Sequence, residues 1–272
     1  MSTLRVLFFG DLVGAPGRAV FQKHINALRE QFKADAVLVN GENSAQGRGI
    51  TPRVMNFFKQ HHVNVVTSGN HIWRHNEINA YLDQHDDLVR PANFPPGCPG
   101  KGYTTFTVGM HTIGVINLQG RIFMKELVDC QFRTVESILP LLKKKTKIIL
   151  VDMHAEATSE KYGLGYFLDG KVSAVVGTHT HVQTADERIL PLGTAYISDL
   201  GMGGALNSMI GMQIEPIIKN MRMQMPVKFE VEDKGPMILC GVCISIDTTT
   251  GLAIGIERFR IQDSSVNVSE AS

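Results

Sequence analysis

The stretch SAVVGTHTHVQTADERILP, residues 173–191, places two histidines where a short apolar run ends. Ala174 to Val176 have the pattern of a buried strand, Gly177 ends it, and His179 and His181 follow two positions apart. In an extended segment, residues i and i+2 point to the same side, so both imidazoles can face one metal ion or two adjacent ions. Imidazole is the commonest metal ligand. A His-x-His pair in a solvated loop often has no function, so its weight depends on the rest of the chain.

The composition is that of an ordinary globular protein. The chain has 272 residues, of which 43% are hydrophobic, and its net charge is +1. A single domain over residues 1–272 is expected, with a polar, frayed tail from about Asp263. The near-zero net charge provides no overall electrostatic attraction for nucleic acid. No apolar window reaches the ~20 residues that a membrane-spanning helix needs. We therefore predict a cytoplasmic protein without a membrane partner and without a strong nucleic-acid signature. The sequence does not decide between a monomer and a homo-oligomer.

The four cysteines do not form a disulfide framework in a chain of this length. Cys240 and Cys243 form a Cys-x-x-Cys motif, which is typical of redox sites and of half a zinc site. Here the motif lies inside the apolar run PMILCGVCISID and has no second pair. At this spacing the two thiols of a strand face opposite sides, which favours packing in the core.

Short apolar runs alternate with helical patterns over the first two thirds of the chain, which is typical of a layered α/β domain. The patterns predict strands at 4–10, 35–40, 63–67, 147–153 and 172–177, and a hairpin over 103–120. They predict helices over 18–32, from Thr51-Pro52 onward, and over 130–145. Beyond residue 193 they predict strands at 194–199, 227–233, 236–247 and 252–261, and one helical segment near 209–223.

Polar residues follow five of these strands directly. In open α/β sheets, ligands bind outside the carboxyl ends of the strands. Asparagine and aspartate also favour turns, which could explain one or two of these positions but not three histidines and a glutamate at matching places. The residues that follow the five strands are Asp11, then Glu42 and Asn43, then Asn70 and His71, then His154, and finally His179 and His181.

This order of residues resembles that of the calcineurin-like metallophosphoesterases. The phrases FFGDLVGAPGR, NGENSAQGRG, LVRPANFPPG and VVGTHTHVQTADERILPLGTAYISDLGM are similar to one branch, the YmdB-type bacterial phosphodiesterases, over roughly residues 4–260. The resemblance implies a two-sheet α/β sandwich flanked by helices, in the layer order α-β-β-α. It also implies two bound metal ions and the hydrolysis of phosphodiesters, including cyclic nucleotides.

The sequence departs from the wider superfamily at three positions. Leu12-Val13 follows Asp11 where the superfamily has Asp-x-His, Glu42 stands where it has the aspartate of Gly-Asp, and Ile72 follows His71 where it usually has an acid. The YmdB branch shares these changes. Asn43 resembles its substitute for the missing histidine.

The resemblance implies a ligand set for two metal ions. The first ion would bind Asp11, Glu42, Asn43 and His181, and the second would bind Glu42, Asn70, His154 and His179. Glu42 would bridge two ions ~3.5–4 Å apart, with a shared hydroxide that attacks the phosphodiester. Histidine, carboxylate and amide ligands without thiolate suit iron or manganese, in divalent or mixed-valence form, and tolerate zinc.

Five further residues are candidates around these ligands. The resemblance implies that His71 is the acid that protonates the leaving alkoxide; the alternative is a histidine that only supports the ligands or packs in the core. Glu156 and Thr158 could accept the free N–H of a metal-bound histidine. Arg90 and Arg121 could contact a substrate phosphate, although arginines in surface loops often have no such role.

Three functions are compatible with these residues. The first is a phosphodiesterase acting on a small nucleotide, such as 2′,3′-cyclic or 3′,5′-cyclic AMP. The second is a phosphomonoesterase or nucleotidase that uses the same metals. The third is a metal-containing regulatory protein that binds nucleotide or RNA, which lacks support because no basic stripe with interleaved aromatic residues is present.

Overall fold

The computed structural model describes residues 3–268, which form two six-stranded sheets and six helices. The strands are β1 (Thr3–Leu12), β2 (Ala36–Asn40), β3 (Val65–Thr67), β4 (Tyr103–Val108), β5 (His111–Gln119), β6 (Ile148–His154), β7 (Ala174–Thr178), β8 (Arg188–Ile189), β9 (Ala195–Ile197), β10 (Met202–Ala205), β11 (Met237–Asp247) and β12 (Ala253–Asp263). The helices are α1 (Gly14–Phe32), α2 (Pro52–Gln60), α3 (Ile78–Gln84), α4 (Gln131–Lys143), α5 (Thr158–Leu168) and α6 (Ile214–Met223).

Each sheet has a parallel centre. The first sheet has the order β12-β11-β10-β1-β2-β3, in which β10, β1, β2 and β3 run parallel. The second has the order β4-β5-β6-β7-β9-β8, in which β5, β6, β7 and β9 run parallel. The carboxyl ends of parallel neighbours lie at one edge of a sheet, which is where ligands bind in such folds.

Alternation along the strands divides the core into layers. Between the sheets, buried residues of β1 and β2 share one cluster with buried residues of β5, β6 and β7, among them Phe8, Leu38, Val115, Leu150 and Val176. The opposite face of the first sheet packs against α1 and α2, and the opposite face of the second packs against α4 and α5. Both sheets are therefore buried on two faces, and the predicted two-sheet sandwich flanked by helices is confirmed.

Residues 227–233, predicted as a strand, do not form one. Val231 makes only an isolated bridge with Met212. Its side chain lies instead over Gly14 and Gly47, where an added Cβ on either glycine would meet it at 3.0 Å or less. The segment is therefore held by this apolar contact and by the isolated bridge, without pairing along a strand.

Four elements were not predicted, and one begins later than expected. The short helix α3, the strands β8 and β10 and helix α5 lacked a recognisable pattern, and α6 begins at Ile214 rather than near 209. In α5 the two glycines of the sequence KYGLGY weaken the helical pattern, because glycine is a poor helix former. Gly165 is required there by packing, since a Cβ would lie 2.6 Å from the ring of Tyr196.

The first residues of the polar tail contact helix α1 and the adjoining core. Lys23 Nζ and His24 Nε2, both from α1, each lie 2.8 Å from Asp263 Oδ2. Val266 and Val268 pack against the adjoining core. These contacts involve the part of the tail that the structure describes, residues 269–272 lie outside the described range, and the expected fraying stays a prediction.

Cys240 and Cys243 are buried, unpaired and on opposite faces of β11. Burial raises the pKa of each thiol to about 11, which makes both poor nucleophiles and poor metal ligands at neutral pH. Their predicted role in core packing is confirmed. Among residues 3–268, no helix combines the length and the apolar character needed to cross a bilayer.

Candidate metal centre

The carboxyl ends of five strands meet where the two sheets adjoin. Asp11 lies near the end of β1, and Glu42 lies two residues beyond β2. His154 is the last residue of β6, and His179 directly follows β7. The backbone N–H of His179 donates to Asp11 Oδ2 at 3.1 Å, which joins the first sheet to the second.

Four side chains converge around one point. His154 Nε2 lies 3.2 Å from Glu42 Oε1 and 3.1 Å from both Asn70 Oδ1 and His179 Nδ1. The ligand atoms of Glu42, His154 and His179 all lie within 4.8 Å of one another, a spacing suited to one metal ion. These four residues are the set expected for the second ion.

The remaining expected ligands lie beside this point. His181 Nε2 is 3.7 Å from Asp11 Oδ1, which is too long for a hydrogen bond. Asn43 Nδ2 donates to the carbonyl of Gly47 at 3.1 Å. Asp11 Oδ1 and Asn43 Oδ1 are buried and have no hydrogen-bond partner. Two buried oxygens without a donor are costly unless they coordinate a cation, so the residues fit a metal ion here.

Gly69 gives the ligands the space to approach each other. A Cβ at this position would lie 2.2 Å from His154 Nε2 and 2.3 Å from Glu42 Oε2. Only glycine allows the chain between β3 and Asn70 to pass this close to both side chains.

His179 and His181 do not lie on an extended segment, so that part of the sequence prediction is wrong. β7 ends at Thr178, and the two histidines have φ values of 98° and 65°. Non-glycine residues rarely adopt positive φ, and they retain it only where surrounding contacts impose it. The two rings reach the centre through a tight bend rather than through strand alternation.

Asp199 imposes that bend. Its Oδ2 accepts from the N–H of Thr180 at 3.1 Å and from Thr180 Oγ1 at 2.7 Å. Its Oδ1 accepts from the N–H of Gly201 at 2.8 Å, and the carbonyl of Gly201 in turn accepts from the N–H of Asp11 at 3.1 Å. Lys161 Nζ from α5 pairs with Asp199 Oδ2 at 2.8 Å, with both side chains buried. One carboxylate therefore fixes both the histidine bend and the backbone of Asp11.

We expect Lys161→Met to destabilise the fold strongly. It leaves the buried charge of Asp199 without its partner, which typically costs ~3–5 kcal/mol in the free energy of unfolding. Chemical denaturation of Lys101→Met provides the control, because Lys101 pairs with Asp86 at a surface where both side chains are more than 60% exposed. Such a surface pair contributes ~0–1 kcal/mol. Equal losses in the two variants would contradict the structural role of the buried pair.

The electrostatics of the centre favour a cation. Burial raises the pKa of the Asp11 carboxyl to about 6, although neighbouring imidazoles oppose the rise. Burial favours the neutral ring of His154, but the charge of Glu42 and its hydrogen bond outweigh burial and raise the pKa of His154 to about 9. Burial and the charge of His154 lower the pKa of His179 to about 3. The negative potential that holds a proton on a buried imidazole would also attract a metal ion, whose binding displaces that proton.

His71 lies at the mouth of the centre. Its backbone N–H donates to Glu42 Oε2 at 3.2 Å. Its Nδ1 lies 3.3 Å from Glu42 Oε1 without the alignment of a hydrogen bond, and its side chain is 29% exposed. The ring is therefore adjacent to the ligands and open to a bound molecule.

Glu156 and Thr158, expected near a ligand histidine, lie in different surroundings. Glu156 Oε2 is 3.1 Å from His179 Nε2, so it can accept the N–H of that ring. Thr158 is exposed at the first position of α5. The acceptor beside His154 Nδ1 is instead Thr178 Oγ1, at 2.9 Å.

The two candidate arginines differ in how they are held. Arg90 is buried, and its guanidinium donates to the carbonyls of Pro91 and Pro99 at 2.8 and 3.2 Å. These hydrogen bonds hold the guanidinium within its own loop. The side chain of Arg121 is exposed, and its backbone N–H donates to the Glu160 carboxylate at 3.0 Å. Of the two, Arg121 has the freer guanidinium for a phosphate.

The sequence of the chain matches that of a known family. The family model described as YmdB-like protein matches residues 7–259. The chain belongs to this family. A curated relative from Bacillus subtilis, named 2′,3′-cyclic-nucleotide 2′-phosphodiesterase, is 46% identical over 260 residues, which cover 96% of this chain and 98% of the relative.

Two solved structures are similar to this YmdB-like protein over nearly their full lengths. A protein from Thermus thermophilus has a TM-score of 0.89 and 37% identity, covering 96% of this chain and 100% of that chain. A structure described as a novel phosphatase, from Mycoplasma pneumoniae, has a TM-score of 0.91 and 33% identity, covering 99% and 97%. The fold is that of the metallophosphoesterases, which implies divalent metal ions at this centre.

Sequence reasoning missed the polar residues of this YmdB-like protein that lie behind the ligands. Asp152 is fully buried in the apolar run KIILVDMH, and an acid inside such a strand is a signal of a buried hydrogen-bond network. Asp199 and Lys161 carried weaker signals, because Asp199 follows a strand as turn residues often do and Lys161 lies in a helix that was not predicted.

Proposed function

We propose that this protein is a metal-dependent phosphodiesterase that hydrolyses cyclic nucleotides. The observation that carries the proposal is the convergence of Glu42, Asn70, His154 and His179 on one point, beside two buried oxygens that lack donors. The name of the Bacillus subtilis relative, at 46% identity, supports a 2′,3′-cyclic nucleotide as the substrate.

Two ions per chain are part of the proposal. Asp11, Asn43 and His181 would hold the first, Asn70, His154 and His179 would hold the second, and Glu42 would contact both. Seven ligands exceed the four of a tetrahedral site. Three imidazoles, two carboxylates and two amide oxygens, without a thiolate, suit iron or manganese and tolerate zinc.

When bound, such ions activate water and offset the charge of the phosphate. The residues of the chain supply the remaining requirements. His71 donates a proton to the leaving ribose oxygen through the ring nitrogen that does not face Glu42, since Nδ1 lies 3.3 Å from Glu42 Oε1. Arg121, on a backbone fixed by Glu160, binds a non-reacting phosphate oxygen.

A phosphomonoesterase that uses the same centre is the second candidate. The solved Mycoplasma pneumoniae structure that is described as a phosphatase, at 33% identity, favours it. Both activities need the same ligands, so the choice depends on whether His71 protonates a ribose oxygen of a diester or the single ester oxygen of a monoester.

We expect manganese-loaded protein to convert 2′,3′-cyclic AMP to 3′-AMP, and chelator-treated protein to have only background activity. Product analysis by chromatography should be run on 2′,3′-cyclic AMP, 3′,5′-cyclic AMP and 5′-AMP, each with and without restored metal. Faster release of inorganic phosphate from 5′-AMP than hydrolysis of either cyclic diester would favour the phosphomonoesterase. Turnover of the cyclic diester that survives complete metal removal would contradict the metal dependence.

A further inference from the structure

A buried hydrogen-bond network lies directly behind His154. Asp152 is fully buried, and its carboxylate accepts from three side chains. Thr178 Oγ1 donates to Oδ1 at 2.8 Å, Asn40 Nδ2 donates to Oδ2 at 3.0 Å, and Thr67 Oγ1 also donates to Oδ2. Asn40 and Thr67 belong to the first sheet, whereas Asp152 and Thr178 belong to the second. The network therefore ties the carboxyl ends of both sheets together beneath the ligands.

The orientation of Asn40 is set independently. Its Oδ1 accepts from the backbone N–H of Glu42 at 3.1 Å, so its Nδ2 must be the atom that faces Asp152. A flipped amide would place an NH₂ group against the N–H of Glu42. Asn40 is thus a fixed donor to Asp152 and also holds the backbone of the proposed bridging ligand.

The donors around Asp152 fix the proton of Thr178. A threonine hydroxyl has one proton and two lone pairs. With donors on both of its oxygens, Asp152 acts as an acceptor, so Thr178 gives it the hydroxyl proton. The lone pairs of Thr178 Oγ1 then face His154 Nδ1 at 2.9 Å, and Nδ1 must carry a hydrogen.

We propose that Thr178 and Asp152 are positioning residues that hold His154 with its hydrogen on Nδ1 and its Nε2 directed at the metal. This inference rests on the proposed metal centre. Nε2 is the atom that lies within 3.2 Å of Glu42, Asn70 and His179, so it is the nitrogen on which a cation would replace a proton. Partners of this kind set the tautomer and orientation of a ligand histidine, and their loss typically costs ~10–100-fold in metal affinity.

The network predicts that two nearly isosteric substitutions lower the affinity for metal ions and that one conservative substitution does not. Thr178→Val removes the acceptor of Nδ1 and keeps the shape. Asp152→Asn keeps the shape but adds an NH₂ donor, which lets Thr178 turn its proton toward Nδ1 and stabilises a hydrogen on Nε2 instead. In the serine-protease triad, the same substitution at an aspartate that bonds the histidine directly stabilises the wrong tautomer. Here the effect would pass through the hydroxyl of Thr178. Thr178→Ser keeps the hydroxyl and should keep the affinity.

Metal affinity is the main measurement, taken by chelator competition with Mn²⁺ and Zn²⁺ on the full-length protein. Thr178→Val and Asp152→Asn should each lose ~10–100-fold in affinity at one of the two sites, whereas Thr178→Ser should stay close to wild type. Thr194→Val is the matched control. Thr194 is also fully buried beside the second sheet, where its Oγ1 donates to the carbonyl of Val172 at 2.8 Å, but it lies at the amino ends of the strands.

A purely structural role would lower the thermal stability of Thr178→Val and Thr194→Val alike and leave metal affinity unchanged, which would overturn the inference. Spectra of zinc-loaded protein with ¹⁵N-labelled histidine add a second readout. The wild type and Thr178→Ser should show the hydrogen of His154 on Nδ1, and a hydrogen on Nε2 would also overturn the inference. If Asp152→Asn does not fold, Thr178→Val still provides the test.

Wild-type protein that binds no divalent ion would instead contradict the proposed function.

Discussion

Replacing Glu42 with glutamine is expected to abolish hydrolysis because the protein loses its bound metal. Glu42 is 1% exposed, and its Oε1 lies within 3.3 Å of the rings of both His71 and His154. It is the only carboxylate of the proposed centre that both ions would share, so its removal takes away negative charge from each site. The loss of affinity should exceed the ~10–100-fold that follows removal of an outer hydrogen-bond partner.

Elemental analysis of the Glu42→Gln variant, purified without chelator, measures this effect. Wild-type protein should approach two ions per chain, and the variant should contain less than one. Asp247→Asn is a suitable control, because Asp247 is a buried carboxylate whose Oδ1 accepts from the N–H of Thr249 in a turn outside the centre. A Glu42→Gln variant that retains two ions would contradict the bridging role, and a wild type with only one tight ion would contradict the second site.

Much of the fold follows from local patterns in the sequence. Strands such as Ile148–His154 and Ala174–Thr178 are apolar runs bounded by polar residues, because a parallel strand between two layers is buried on both faces. The positions at which these runs end are visible in the sequence, so the residues that meet at the carboxyl edge could be named. The pairing of the two sheets came from the family resemblance, since strand patterns alone do not specify which strands share a sheet.

The support of the site could not be predicted, because it depends on contacts between distant positions. Asn40 reaches Asp152 across 112 positions of sequence, and Asp199 reaches Lys161 across 38. No local spacing connects such pairs. The acceptor of His154 was sought in Glu156 and Thr158, the next polar residues along the chain, whereas the neighbouring parallel strand supplies Thr178.

The bend at His179 and His181 shows how such distant contacts override a local pattern. A His-x-His pair after an apolar run suggests continued strand alternation, and the sequence offers no glycine at either position to suggest positive φ. The hydrogen bonds from Thr180 to Asp199 supply the energy that holds both histidines in that conformation. The sequence therefore predicted the ligand type without predicting how the two rings are directed.

His71→Ala is expected to lower turnover of a cyclic nucleotide by ~10²–10⁴-fold, the usual contribution of a general acid. His71 is the one partly exposed ring beside Glu42 that is not among the proposed ligands. The variant should therefore retain its metal, unlike Glu42→Gln. Metal content must be measured for each preparation, because Nδ1 of His71 is buried without a hydrogen-bond partner, and a variant that purifies without metal would make His71 a ligand.

The dependence on the leaving group distinguishes proton donation from charge stabilisation by His71. A ribose alkoxide is a strong base that needs a proton as it leaves, whereas p-nitrophenolate is stable without one. Loss of a general acid should therefore lower kcat/KM for 2′,3′-cyclic AMP far more than for bis-p-nitrophenyl phosphate. If His71 instead stabilises charge on the phosphoryl oxygens, both substrates should lose equally, because both transition states carry that charge. His75→Ala is the control in the same loop, where Nε2 of the ring lies 3.0 Å from the carbonyl oxygen of Arg48, and it should leave both values near those of the wild type. Equal losses for the two substrates in His71→Ala, at matched metal content, would exclude the general-acid role and leave the metal centre unaffected.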